Sequence, residues 1–173
     1  MWRTESRERM RAMEVYLDNS ATTRCRPQVR DLVVKTMMED FGNPSSMHRK
    51  GVEAEQYVKR AAEEIARTLK ADPREIYFTS GGTESNNWAL IGTALANQRA
   101  GRHIVTTRIE HPAVSAPIQF LERQGFSVTW LDVDENGRVS PEELEAAVGP
   151  ETILVSVMYV NNEVGAVEPV GEI

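Results

Sequence analysis

Residues 103–159 read HIVTTRIEHPAVSAPIQFLERQGFSVTWLDVDENGRVSPEELEAAVGPETILVSVMY, and this stretch decides the fold. Apolar, β-branched runs at His103–Thr107, Ser127–Leu131 and Thr152–Tyr159 have the length of buried strands. The segments between them, Ala113–Gln124 and Pro141–Val148, carry helical periodicity. Each strand that rejoins a sheet in the same direction needs a crossover, and a helix supplies it. The expected class is therefore α/β, a mainly parallel sheet with helices on both faces and right-handed connections.

The alternation continues upstream. Ile76-Tyr77-Phe78-Thr79 reads as a further buried strand, followed by the turn Ser80-Gly81-Gly82-Thr83 and a helix from Glu84 to about Arg99. Before the turn at Asp72-Pro73, Ala54, Tyr57, Val58, Ala61, Ala62, Ile65, Ala66 and Leu69 recur at the spacing of one buried helical face, which leaves Lys59, Arg60, Glu63 and Glu64 in water. Pro27 suits the first turn of an earlier helix whose apolar stripe is Val29, Leu32, Val33 and Met37, and Phe41-Gly42-Asn43-Pro44-Ser45-Ser46 breaks the chain between the two. Residues 1–13 form a charged, Arg-rich leader, residues 14–26 an amino-terminal arm, and residues 27–173 the α/β domain.

Acidic residues number 26 against 20 basic ones, and the net charge of -6 argues against nucleic acid as a partner. No apolar run is long enough to cross a membrane, and the leader lacks the apolar middle of a secretory signal, so a cytoplasmic location is expected. The single cysteine, Cys25, forms no intrachain disulfide, and His48, His103 and His111 lack ligand spacing, so no protein-borne metal site is expected.

Three polar clusters follow strands. Ser80-Gly81-Gly82-Thr83-Glu84 opens a helix, where small residues let the backbone approach an anion and the first free amides and the helix dipole favour phosphate. It lacks the spacing of a nucleotide P-loop, and the simpler reading is that Thr83 caps the helix. His111 stands before Pro112, where an imidazole either caps the next helix or stacks on a ligand ring and moves protons. Asn161-Asn162-Glu163 follows the last strand. Ligands of wound sheets sit at the carboxyl ends of the strands, so the three clusters together favour one binding site.

These strings, with Tyr16-Leu17-Asp18-Asn19-Ser20-Ala21-Thr22-Thr23, Phe41–Ser46, Phe78–Asn87, Glu110-His111-Pro112-Ala113-Val114 and Asn161-Asn162-Glu163-Val164-Gly165, resemble in order and spacing the motifs of the cysteine desulfurases, in the class V aminotransferase group. The resemblance implies an incomplete fold-type-one large domain that binds pyridoxal 5'-phosphate. It implies that Gly82, where the family commonly has alanine, and Thr83 hold the cofactor phosphate, that His111 stacks on the ring and assists proton transfer, and that Asn162 lies by cofactor and substrate carboxylate. The reaction implied converts L-cysteine to L-alanine and leaves persulfide sulfur on an enzyme cysteine, for iron-sulfur cluster or thio-cofactor assembly through a sulfur-acceptor scaffold protein.

The family's Schiff-base lysine, the aspartate at the pyridine nitrogen, the glutamine at the phenolic oxygen and the cysteine loop all lie beyond the point that matches Ile173. Cys25 lies where the family places no catalytic thiol. The chain alone is therefore expected to be inactive and to need a complementary carboxy-terminal chain, or a second copy, to cover an open apolar sheet edge. Two other readings stay open: a non-catalytic partner-binding scaffold of the same fold, and a selenocysteine lyase-like half.

Overall fold

In the computed structural model, which describes residues 15–173, Pro27 opens helix α1 (Pro27–Met38), its fixed φ and missing N–H suiting a first turn. The leader proposed for residues 1–13 lies outside the described residues. The described residues divide into two compact units, the first ending at Tyr77 and the second running from Phe78 to Ile173.

In the first unit, α1 is followed by α2 (Arg49–Leu69), which starts earlier than its periodicity alone indicates because the His48 ring accepts the Gly51 N–H at 3.3 Å and caps it. The break at 41–46 is a close backbone approach: a Cβ on Gly42 would run into the Lys50 carbonyl, and one on Gly51 into the Ser46 carbonyl. The Tyr57 hydroxyl donates to Asp40 Oδ2 at 2.6 Å and accepts from Lys35 Nζ at 3.2 Å, which ties the end of α1 to α2. A 3-10 turn, Pro73–Glu75, follows with a capping box between Asp72 and Glu75.

The apolar faces of both helices differ from expectation. No residue of α1 is buried, and α2 buries only Gly51, Ala54 and Ala66, while Val58, Ile65 and Leu69 are exposed. An amphipathic stripe is buried only where another element covers it, and within this unit the 73–75 turn is what packs along α2.

The strand expected at 76–79 is also corrected: those residues form none, and Tyr77 and Phe78 are 68% and 53% exposed. An extended run becomes a strand only by laddering to a neighbour, and the sheet of the described residues has three strands in the order β2-β1-β3.

That sheet is parallel throughout. β1 (His103–Thr107) pairs with β2 (Ser127–Leu131) from His103↔Ser127 to Thr107↔Leu131, and with β3 (Thr152–Ser156) on its other side, with an irregularity between His103 and Ile104. Helix α3 (Gly82–Asn97) precedes β1, α4 (Pro112–Arg123) joins β1 to β2, and α5 (Pro141–Ala147) joins β2 to β3.

Alternation along β1 builds two cores. Ile104 packs with Ala94, Leu121 and Phe126 from the α3–α4 side, and its neighbour Val105 with Leu131, Val139 and Leu144 from the α5 side. Helices therefore cover both faces. Ile104 and Leu121 are 0% exposed, and truncating either to alanine costs about 2–5 kcal/mol. At the amino edge the His103 ring joins all three strands, with Nδ1 2.8 Å from Thr152 Oγ1 and Nε2 2.9 Å from Thr129 Oγ1.

The last strand stops at Ser156, short of the expected Tyr159. Residues 159–168 instead close on themselves: Val160 bridges Val167 antiparallel, Asn161 N–H donates to Ala166 O at 2.8 Å, and Glu168 N–H donates to Tyr159 O at 3.0 Å. Gly165, at φ +73°, makes the reversal.

Candidate active site

The short segment 98–102 joins α3 to the amino end of β1, so the start of α3 lies toward the opposite, carboxyl edge. α4 begins directly beyond that edge of β1, and the two helices pack together. The 159–168 hairpin follows the same end of β3. Topology thus brings Gly82, Thr83, His111 and Asn162 to the carboxyl edge of one sheet.

At the start of α3 the N-cap is Gly81, and no side chain caps the helix. The expectation that Thr83 merely caps is not met, because Thr83 lies inside the first turn. Cβ atoms added to Gly81 and Gly82 would meet nothing within 4 Å, which leaves room for an anion and for the alanine that the family commonly has at position 82. The Glu84 carboxylate turns to Ser80, accepting its N–H at 2.7 Å and its hydroxyl at 2.6 Å; the Ser80 hydroxyl, then its amide, hold Glu84 below the usual glutamate range. Thr83 lines a groove of about 610 Å³ with Ser80, Glu84, Asn87, Trp88, Ile91 and Gly92. Neither His111 nor Asn162 lines that groove.

His111 both caps and remains available. Its Nδ1 accepts the Ala113 N–H at 3.0 Å and so caps α4. An Nδ1 that accepts carries no proton, so in the neutral ring the proton sits on Nε2, a donor. Asn162 is exposed at the hairpin, its Nδ2 donating to Glu163 Oε1 at 2.9 Å.

The sequence reading missed the groups that fix these loops. Glu110 Oε1 accepts the Met158 N–H at 2.6 Å and the Thr107 hydroxyl at 3.3 Å. Burial raises the Glu110 carboxyl above the usual glutamate range, against the opposing pull of those two bonds. Asn161, 7% exposed, donates to Ile109 O at 3.1 Å and accepts the N–H groups of Glu163 and Val164 at 2.9 and 3.0 Å. Glu168, 2% exposed, accepts the Val139 N–H at 2.8 Å. Adjacency to His111 and Asn162 was the available signal for the first two; nothing local marks Glu168, whose partner lies 29 residues away. Cys25 lies in the first unit, exposed, its thiol directed at Arg26 O at 3.5 Å.

The sequence profile described as "Aminotransferase class-V" matches residues 15–173. The chain belongs to the class-V aminotransferase family. Among individual members, it is 49% identical over 160 residues to a "Cysteine desulfurase IscS" of Clostridium botulinum (strain Kyoto / Type A2), a match that covers 92% of this chain and 40% of that protein. Solved structures share the fold. A "NIFS-like protein" superposes with a TM-score of 0.87 at 44% identity, covering 90% of this chain and 43% of the other, and "SspA in complex with cysteine" with a TM-score of 0.86 at 38% identity, covering 92% and 46%. This class-V aminotransferase chain therefore spans about two-fifths of the length of its curated relative, as part of a fold-type-one large domain. Among the described residues no helix is long and apolar enough to cross a membrane.

Proposed function

We propose that the chain is the amino-terminal part of a cysteine desulfurase and builds one side of a pyridoxal 5'-phosphate site, which a complementary chain or a second copy completes with the lysine and the catalytic cysteine. The observation that carries this reading is the uncapped start of α3, open around Gly81 and Gly82, on a helix packed beside the one that His111 opens. A helix start without a cap keeps free amides and positive potential for an anion. The residues present fit the phosphate end of such a cofactor.

In this reading Gly82 and Thr83 hold the phosphate through backbone amides and the Thr83 hydroxyl. His111, pinned through Nδ1, would stack its ring on the cofactor and assist proton transfer by holding its Nε2 proton as a hydrogen-bond donor. Asn162 supplies amide hydrogen bonds near the substrate carboxylate. The cofactor, when bound, supplies an electron sink. L-cysteine is the proposed substrate, in keeping with the structural relative SspA, which was solved in complex with cysteine, and a sulfur-acceptor scaffold is the proposed recipient. Cys25 has no part in sulfur transfer, and the chain alone is inactive. We place the protein in the cytoplasm.

Mixing the chain with its complementary chain, pyridoxal 5'-phosphate and L-cysteine is expected to release alanine and, with a thiol reductant, sulfide; the chain alone releases neither. A reconstituted pair that shows no cofactor absorbance would favour the scaffold reading instead, and preference for selenocysteine in direct competition would favour the lyase-like one.

A further inference from the structure

The loop that carries His111 and the hairpin that carries Asn162 are cross-tied in both directions. From the β1 side, Glu110 Oε1 takes the Met158 N–H at 2.6 Å. From the β3 side, Asn161 Nδ2 gives a hydrogen bond to Ile109 O at 3.1 Å. The donor and acceptor types are matched, since a carboxylate only accepts and an amide does both. Asn161 is also spent on its own turn, where Oδ1 takes two N–H groups and Nδ2 meets Met158 Sδ at 3.4 Å, so it has no bond to offer a ligand. Each clasping residue is the immediate neighbour of a proposed site residue.

We infer that Glu110 and Asn161 are positioning residues: their reciprocal clasp sets the placement of His111 against Asn162. The inference deepens the proposed function and rests on it for its catalytic consequence, but the clasp itself is a property of this chain. A bond that ties two loops to each other holds them jointly, so losing either partner releases both, whereas a purely local contact releases only its own loop.

Amide hydrogen exchange on the full chain tests the clasp. Glu110→Ala is expected to speed exchange at Met158, at 109–111 and at 161–164 together, by about tenfold relative to Ile104 and Val105, the loss of one net hydrogen bond. Glu110→Gln, which keeps an oxygen for the Met158 amide, is expected to stay near wild type. Asn161→Asp, which keeps the acceptor oxygen and loses the donor to Ile109, loosens 109–111 and serves if the alanine variant fails to fold. In the pair assembled with pyridoxal 5'-phosphate, Glu110→Ala shifts the cofactor absorption band and lowers turnover about tenfold, and Glu110→Gln restores both. Faster exchange at 109–111 with 161–164 unmoved, or Gln as harmful as Ala, overturns the clasp. Wild-type protein that binds no cofactor removes the proposed function, while the exchange result still decides the clasp.

Discussion

Thr106 lies in the middle of the sheet at 0% exposure with a hydroxyl that meets no partner. A buried, unsatisfied hydroxyl carries its desolvation cost with no return, and valine has the same shape and the same preference for strands. Thr106→Val is expected to raise stability by on the order of 1 kcal/mol in urea unfolding; a loss of that size would reveal a partner for the hydroxyl. Glu110 makes a second prediction at this scale. Burial, with a smaller push from the charge of Glu168, raises its folded carboxyl above the unfolded value of about 4.3. The fold thus prefers the protonated acid, so this contribution is complete below the unfolded value and fades as pH rises through the folded one. Asp40, Asp72, Glu84, Asp134 and Glu142 are shifted down and act in the opposite sense. The difference in urea midpoint between wild type and Glu110→Gln isolates the one group: it should favour wild type most near pH 4 and move toward the variant by pH 7. A difference flat with pH would contradict the raised value.

The proposed site lies at helix starts, and α4 is where capping can be separated from chemistry. Because His111 Nδ1 caps α4, His111→Ala should cost about 1 kcal/mol of stability by thermal melt, while His111→Asn, a good cap, should cost little. In the assembled protein both variants should lose sulfide release, since neither has a ring or an Nε2 proton to offer. Full activity in His111→Asn would confine the residue to capping. Elements long enough to show a period were legible: α3, α4, α5, β1 and β2 stand within a few residues of their sequence positions. The exceptions are informative. Residues 76–79 have strand composition but no strand beside them, and β3 gives way after Ser156 to a hairpin that Gly165 and the Asn161 turn make possible. Among the described residues no cluster of three or more His, Cys, Asp or Glu side chains gathers to hold a metal.

For the whole molecule, the surface decides behaviour in solution. Among the described residues β3 is paired on one side only, and Phe41, Met47, Tyr77, Phe78, Trp88 and Tyr159 are each more than half exposed. Open strand edges and wide apolar surface associate. The isolated chain is therefore expected to sediment above its 19.4 kDa monomer mass, and addition of the complementary chain should replace self-association with a defined pair and sharpen the melt. A strictly monomeric chain with a cooperative melt would count against this, because a fold that buries enough apolar surface alone needs no cover.

The amino-acid sequence by itself determined the class of the fold, the order of its helices and of the three strands that form, though not the absence of one at 76–79, and the identities of Gly82, Thr83, His111 and Asn162 as candidates, since periodicity, turn residues and motif spacing are local properties of a chain. Only the tertiary structure decided which apolar faces are covered, that Thr83 does not cap α3 while His111 does cap α4, and that Glu110 and Asn161 clasp two loops some fifty residues apart. Burial and hydrogen-bond partners are relations between distant segments. No single stretch of sequence carries them until the sheet has brought those segments together.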